Sequence, residues 1–207
     1  ILPGRVGFED KGIITINPSY YPPQILRRFA EHDPYWQPVL EGLINAMIRS
    51  SPDGAAPDWA KFDSSGRLVD PNKMEGSYNA IRTYLWASML SPKDQNYELL
   101  AKHYGPMIDA VRRTNLPPEK VNLGDMTFSG WEVDAFGACF LPYVSSDKAG
   151  AIIRTVLTST KMTGVNYYRN CLIMFGLGFD YRAFAFDEKG RLIIPSNDLV
   201  IDTKTPN

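Results

Sequence analysis

Three short segments set polar and aromatic side chains where a cleft could use them. Asn17-Pro18-Ser19-Tyr20-Tyr21-Pro22-Pro23 is a rigid, aromatic loop that leads into a helix. Ala56-Pro57-Asp58-Trp59 puts a carboxylate beside an indole. Gly76-Ser77-Tyr78-Asn79-Ala80-Ile81-Arg82 places polar groups on the first turn of an otherwise apolar helix. Asn79 and Arg82 lie one helical turn apart, so they share a face and can both point into a cleft. Rings beside such groups suit carbohydrate, although plain packing uses the same rings. Each cluster also has a plainer reading. Asn-Pro-Ser makes a turn, Asp58 makes an N-cap, and Arg82 makes a surface cation paired with Glu75.

Other chemistries find little support. The sequence has no Gly-rich phosphate loop, no Gly-x-Ser-x-Gly elbow and no His-Glu-x-x-His pair. His32 ends a helix beside Asp33, and His103 sits beside Tyr104 within one; both read as structural. Cys139 and Cys171 fall on apolar helical faces, as small buried hydrophobes do. Two Cys and two His make neither a disulfide scaffold nor a four-ligand zinc site, so no metal or cofactor is expected.

The elements that must hold these clusters are mainly helical. Asp33-Pro34 opens a helix carried by Trp36, Val39, Leu40, Leu43, Ile44, Met47 and Ile48, and Ser51-Pro52 stops it. Ile81, Tyr84, Leu85, Met89 and Leu90 repeat the pattern behind Ser77 as a cap, and Leu100, Tyr104, Met107, Ile108 and Val111 repeat it again. Further helices are predicted near 23–31, 131–142, 147–159 and 166–177, which makes about seven in all. Residues 52–74, rich in Asp, Gly and Pro, read as a long loop with a short ribbon around Gly66-Arg67-Leu68. A hairpin is predicted over residues 182–194 with Gly190 in its turn, and residues 202–207 should fray. No internal boundary is visible, so residues 1–207 read as one domain.

Composition agrees with a globular chain. Of 207 residues, 44% are hydrophobic, 22% charged and 12% aromatic, with a net charge of −1. That balance argues against nucleic acid or an anionic membrane surface as partner, and no apolar run is long enough to span a bilayer. The chain opens Ile1-Leu2-Pro3-Gly4 without a Met or a secretion leader, so it reads as a processed product or as part of a longer protein.

The motif order adds a further indication. Gly7-Phe8, Asn17-Pro18-Ser19-Tyr20, Pro57-Asp58-Trp59, Ser77-Tyr78-Asn79-Ala80-Ile81-Arg82, Pro117-Pro118-Glu119-Lys120-Val121, Phe175-Gly-x-Gly and Arg182-x-Phe-x-Phe186 together resemble glycoside hydrolase family 8. The likeness is strongest to the branch encoded with bacterial cellulose synthase. It implies an all-α fold, part of an (α/α)6 barrel with about seven of about twelve helices, and a small C-terminal β-hairpin. It also implies inverting hydrolysis of β-1,4-glucan in the periplasm or outside the cell, with the cellulose synthase machinery as partner.

Carried residue by residue, the resemblance puts Asn79 where the family has its general-base Asp. Tyr20 takes the place of the tyrosine that holds the attacking water, Tyr78 and Arg82 flank the base, and Asp58 and Trp59 line the substrate. Trp36, Trp86 and Trp131 read as core. The chain would begin about halfway through the family sequence and lack the Ser-Glu-Gly general acid, which implies a silent fragment completed by an N-terminal half or by a second, swapped copy. Asn79 then reads as an engineered inactivation, as the mark of a degenerate enzyme that only binds glucan, or as the sign of a relocated base. Asp70 and Glu75 are the candidates for the last.

Overall fold

The computed structural model describes residues 2–195. Eight α-helices are the main elements of these residues: α1 (Pro23–His32), α2 (Trp36–Ser50), α3 (Ile81–Ser88), α4 (Tyr97–His103), α5 (Gly105–Thr114), α6 (Ala135–Val144), α7 (Lys148–Ser159) and α8 (Tyr167–Asp180). Helix α6 lies at the centre because it is apolar all round. Phe136, Ala138, Cys139, Phe140, Leu141 and Val144 are buried on it, and it packs against α3, α5, α7 and α8. Gly176 of α8 allows a close approach to α6, since a Cβ there would lie 2.2 Å from the Ala138 carbonyl oxygen. Two aspartates with buried side chains tie segments together by pairing with arginines. Asp94 takes Arg27 through two hydrogen bonds of 2.7 and 2.8 Å, and Asp180 takes Arg154 at 2.7 and 2.9 Å.

The fold departs from a purely helical one, because nine short strands among the described residues form three antiparallel sheets. A four-stranded sheet runs in the order β1 (Glu9–Asp10), β2 (Ile13–Ile16), β3 (Ala60–Phe62), β4 (Leu68–Val69). The register Ile16↔Ala60 ties the start of the chain to the segment read as a loop, so the ribbon around Gly66 is one half of a larger sheet. A second sheet joins β5 (Glu75–Gly76), β6 (Pro118–Asn122) and β7 (Thr127–Trp131). The predicted C-terminal hairpin is present as β8 (Ala185–Phe186) paired with β9 (Leu192–Ile193). Residues 202–207, expected to fray, lie outside the described residues.

Four other expectations are corrected. The apolar run from Leu100 to Val111 is two helices, because Gly105-Pro106 begins a new one after Tyr104. The helix expected from residue 131 starts at Ala135, and Trp131 instead ends β7 opposite Pro118 with half its surface exposed. It is therefore not a core residue. Ser77 does not cap α3; its hydroxyl donates to Asp58, whose carboxylate does the capping from across the fold. With the split, the described residues hold eight helices instead of seven.

Candidate active site

The site forms where the N-terminal end of α3 meets the loop before α1 and the edges of the first two sheets. Gly76 makes this junction possible: a Cβ at that position would sit 2.2 Å from the Ala56 carbonyl oxygen. Asp58 then reaches across from the end of its own loop. Its Oδ1 accepts from the backbone N–H groups of Ser77, Asn79 and Ala80 at 2.9, 2.9 and 2.7 Å, and its Oδ2 accepts from the Ser77 hydroxyl at 2.6 Å. A carboxylate at a helix start satisfies orphan donors and meets the positive end of the helix dipole. Asp58 thus fixes the backbone of Ser77–Ala80, so the capping role foreseen for it is present, on α3.

Asn79 is held from two further sides. Asn17, fully buried, uses its Oδ1 to accept from the Ser19 N–H at 3.0 Å and the Ser19 hydroxyl at 2.7 Å. Its Nδ2 donates to Asn79 Oδ1 at 3.0 Å, so the Asn-Pro-Ser turn and the site are one structure. Arg82 Nη2 donates to the same oxygen at 2.7 Å. A guanidinium only donates, so the Asn79 atom it meets is the carbonyl oxygen. The amide nitrogen is therefore the group left over, and it donates to no described residue.

Aromatic rings hold the arginine. Its guanidinium carbon lies 5.5 Å from the Tyr20 ring centroid and 5.6 Å from that of Tyr168, within cation–π range of both. Arg82 makes no pair with Glu75, which is bound to Lys120 at 3.3 Å. Tyr20 is 43% exposed, and its ring meets the edge of Trp59 at 5.8 Å. Trp59 also touches Phe8 and keeps 38% of its surface open. The Trp86 indole donates to the Ser19 carbonyl at 2.9 Å, which steadies the loop that carries Tyr20. Asp70 holds Lys73 at 3.0 Å on the exposed turn before β5. The structure thus brings Asn79, Arg82, Tyr20, Asp58 and Trp59 together, while Asp70 and Glu75 are engaged with lysines.

Tyr78 turns the other way and opens onto carboxylates that the sequence did not single out. Its hydroxyl lies 3.2 Å from Glu119 Oε1, its ring packs edge-on to Phe136 at 5.0 Å, and its carbonyl accepts from the Tyr168 hydroxyl. Glu132 and Asp134 stand nearby, with Asp134 held by Arg169 at 3.3 Å. The side-chain hydrogen bond with Asp134 pushes the Glu132 carboxyl up to about 7, helped by partial burial and by the charges of Asp134 and Glu119. Burial raises the Tyr78 phenol, helped by its hydrogen bond with Glu119 and by the negative charges of Glu119, Glu132 and Asp134. The available signal was the acidic pair flanking an aromatic, Trp131-Glu132-Val133-Asp134, which a helix assignment over 131–142 concealed. Among the described residues no cluster of three His, Cys, Asp or Glu is arranged to hold a metal ion.

An amide and a guanidinium framed by partly exposed rings stand beside a helical array, an arrangement that suits carbohydrate. The chain belongs to the glycosyl hydrolases family 8, whose family model matches residues 1–182. It is 31% identical over 195 residues to an endoglucanase of Salmonella typhi, covering 93% of this chain and 53% of that protein. An endoglucanase of Xanthomonas axonopodis pv. citri is 33% identical over 202 residues, with the same coverage of 93% and 53%. The solved endo-1,4-D-glucanase of Vibrio fischeri superposes with a TM-score of 0.81 at 30% identity, over 94% of this chain and 59% of that one. The chain spans about half the length of the curated relatives it matches.

Proposed function

We propose that this chain forms the water-side portion of an endo-β-1,4-glucanase cleft and that Asn79 stands where a catalytic carboxylate belongs. The single observation that carries the reading is the pair of donors, Asn17 Nδ2 and Arg82 Nη2, converging on Asn79 Oδ1. Two donors converging on one oxygen are the surroundings a carboxylate needs to stay ionised with its second oxygen free to take a proton. Inverting hydrolysis uses such a base to activate water on the face opposite the leaving group, while a carboxylic acid protonates the leaving oxygen. An amide has no basic atom near neutral pH, so the step falls by the ~10²–10⁴ that a general base contributes. On this reading Tyr20 positions the water. Arg82 holds sugar beside it, Tyr78 meets the chain from its Glu119 side, Trp59 offers a ring face, and Asp58 shapes the backbone beneath.

The parent protein should bind cello-oligosaccharides; completed by the N-terminal half that supplies the general acid, it should release reducing ends from carboxymethylcellulose slowly, and Asn79→Asp should raise that release. Equal release from both proteins would remove Asn79 from the reaction. A second reading is favoured by the free amide N–H groups: they suit a glucan-binding module that holds a sugar oxygen without cleaving. Binding with no turnover in either protein would select it.

The wider setting is proposed on the family resemblance alone. The chain acts in the periplasm or outside the cell, beside the cellulose synthase machinery. Its helices belong to an (α/α)6 barrel. Exposed Ile25, Phe29, Met174 and Phe175 on α1 and α8 support a complementary helical portion, an N-terminal half or a second copy, that covers them. A native mass equal to one chain, with no second polypeptide present, would contradict that partner.

A further inference from the structure

The Arg182-x-Phe-x-Phe186 segment takes no part in the wiring around Asn79, yet it builds a cavity of its own. Helix α8 ends at Asp180, roughly 18 Å along its axis from Tyr168, and the chain turns there into β8. The turn leaves a cavity of about 390 Å³ walled by Pro142 of α6, Phe179 of α8, and Phe184, Ala185 and Ile193 of the C-terminal hairpin. Its size falls in the range of ligand pockets, ~300–1,000 Å³. Phe184 is fixed in that wall by the rings of Phe175, Phe179 and Phe186, with centroids 6.3, 5.9 and 5.9 Å away.

The polar groups that line the cavity differ in what they already hold. Asp180 is spent: its side chain is 2% exposed, and it accepts from the Ser145 hydroxyl and from Arg154 at 2.7 and 2.9 Å. Arg182 is not. Its backbone N–H donates to the Phe179 carbonyl at 3.0 Å and its φ is +57°, a conformation uncommon outside glycine, which sets the residue at the edge of the cavity. Its exposed guanidinium makes no hydrogen bond or ion pair among the described residues.

This combination sorts ligands by chemistry. The hydroxyls of a sugar would find both Asp180 oxygens and the Ser145 hydroxyl engaged. A phosphate dianion would meet one free cation with the Asp180 charge behind it. A purely apolar molecule would take water from Arg182 and return no hydrogen bond. A monocarboxylate with an apolar tail satisfies both parts, the guanidinium through a paired hydrogen bond and the phenylalanine wall through contact.

We propose that this cavity binds a small carboxylate carrying an apolar tail, with Arg182 as the group that holds the anion. Calorimetric titration of the protein with octanoate, against 1-octanol and octylamine, tests it. Octanoate should bind about tenfold more tightly than 1-octanol and more tightly still than octylamine, and each CH₂ removed from its tail should cost about fourfold. Arg182→Gln should lower octanoate affinity about tenfold and leave that for 1-octanol unchanged. Ala185→Phe fills the cavity and should weaken both. Arg182 is exposed, so its replacement does not threaten the fold, and Arg182→Gln decides the matter if Ala185→Phe melts early. Octanoate that binds the parent and Arg182→Gln alike would place it on the exposed apolar faces of α1 and α8 and overturn the site. Equal affinity for octanoate and 1-octanol, or no binding of octanoate by the parent, would overturn it as well.

Discussion

Arg82 donates to Asn79 Oδ1 across 2.7 Å, and this one contact decides which way the amide faces. With the oxygen taken by Arg82 and Asn17, the nitrogen is the group Asn79 presents to a ligand. A carboxylate in the same place would keep both donors on one oxygen and present the other. The scaffold of a base is therefore retained where the base itself is not.

Arg82 should matter through this geometry more than through its charge. Arg82→Lys keeps a cation but loses the planar fork that reaches Asn79 between two tyrosine rings. Cello-oligosaccharide affinity should fall in this variant by about tenfold, the cost of a lost hydrogen bond to a charged group, ~1.5–3 kcal/mol at its lower end. Calorimetry of parent and variant checks this, with the thermal midpoint as the control for folding.

Removing the Asp58 carboxylate should loosen the start of α3. Asp58→Ala leaves the N–H groups of Ser77, Asn79 and Ala80 without their acceptor, and loss of such a cap costs ~0.5–2 kcal/mol. The melting temperature should fall by several degrees. Asp58→Asn, which keeps one acceptor oxygen, should lose less.

The Glu132 carboxyl gives stability a pH dependence with a definite sign. Its folded value is raised from 4.5 to about 7, so between those limits the unfolded chain ionises the group while the folded protein keeps it protonated. Its contribution is fully present below pH 4.5 and is lost as pH rises toward 7. Glu132→Gln should remove that loss. Thermal melts at pH 5 and pH 8 should show a smaller drop in the variant than in the parent.

The helices were readable because they carry long periodic stretches. Trp36 through Ile48 mark one face of α2 at three- and four-residue steps, and Ser51-Pro52 ends it where the structure does. The sheets were not, because strands such as Glu9–Asp10 and Leu68–Val69 are two residues long and show no alternation. Their pairing depends on contacts such as Ile16 with Ala60, far apart in sequence. The site was legible as residue types at Tyr20, Asp58, Asn79 and Arg82. Its wiring was not: local spacing suggested Ser77 as the cap, and nothing in it showed that Asp58 would reach α3 or that Asn17 would hold Asn79. Glu132 stayed hidden because the apolar spacing of α6 continues back to Trp131 in the sequence, although the helix starts only at Ala135.

The central claim is that Asn79 occupies a base position whose supporting donors remain intact. Hydrolysis of dinitrophenyl β-cellobioside tests it most directly, since this leaving group departs without protonation and the water-activating step is isolated. Parent and Asn79→Asp should bind the substrate alike, and the variant should turn it over ~10²–10⁴ times faster. Equal turnover in the two proteins, with binding intact, would contradict the account.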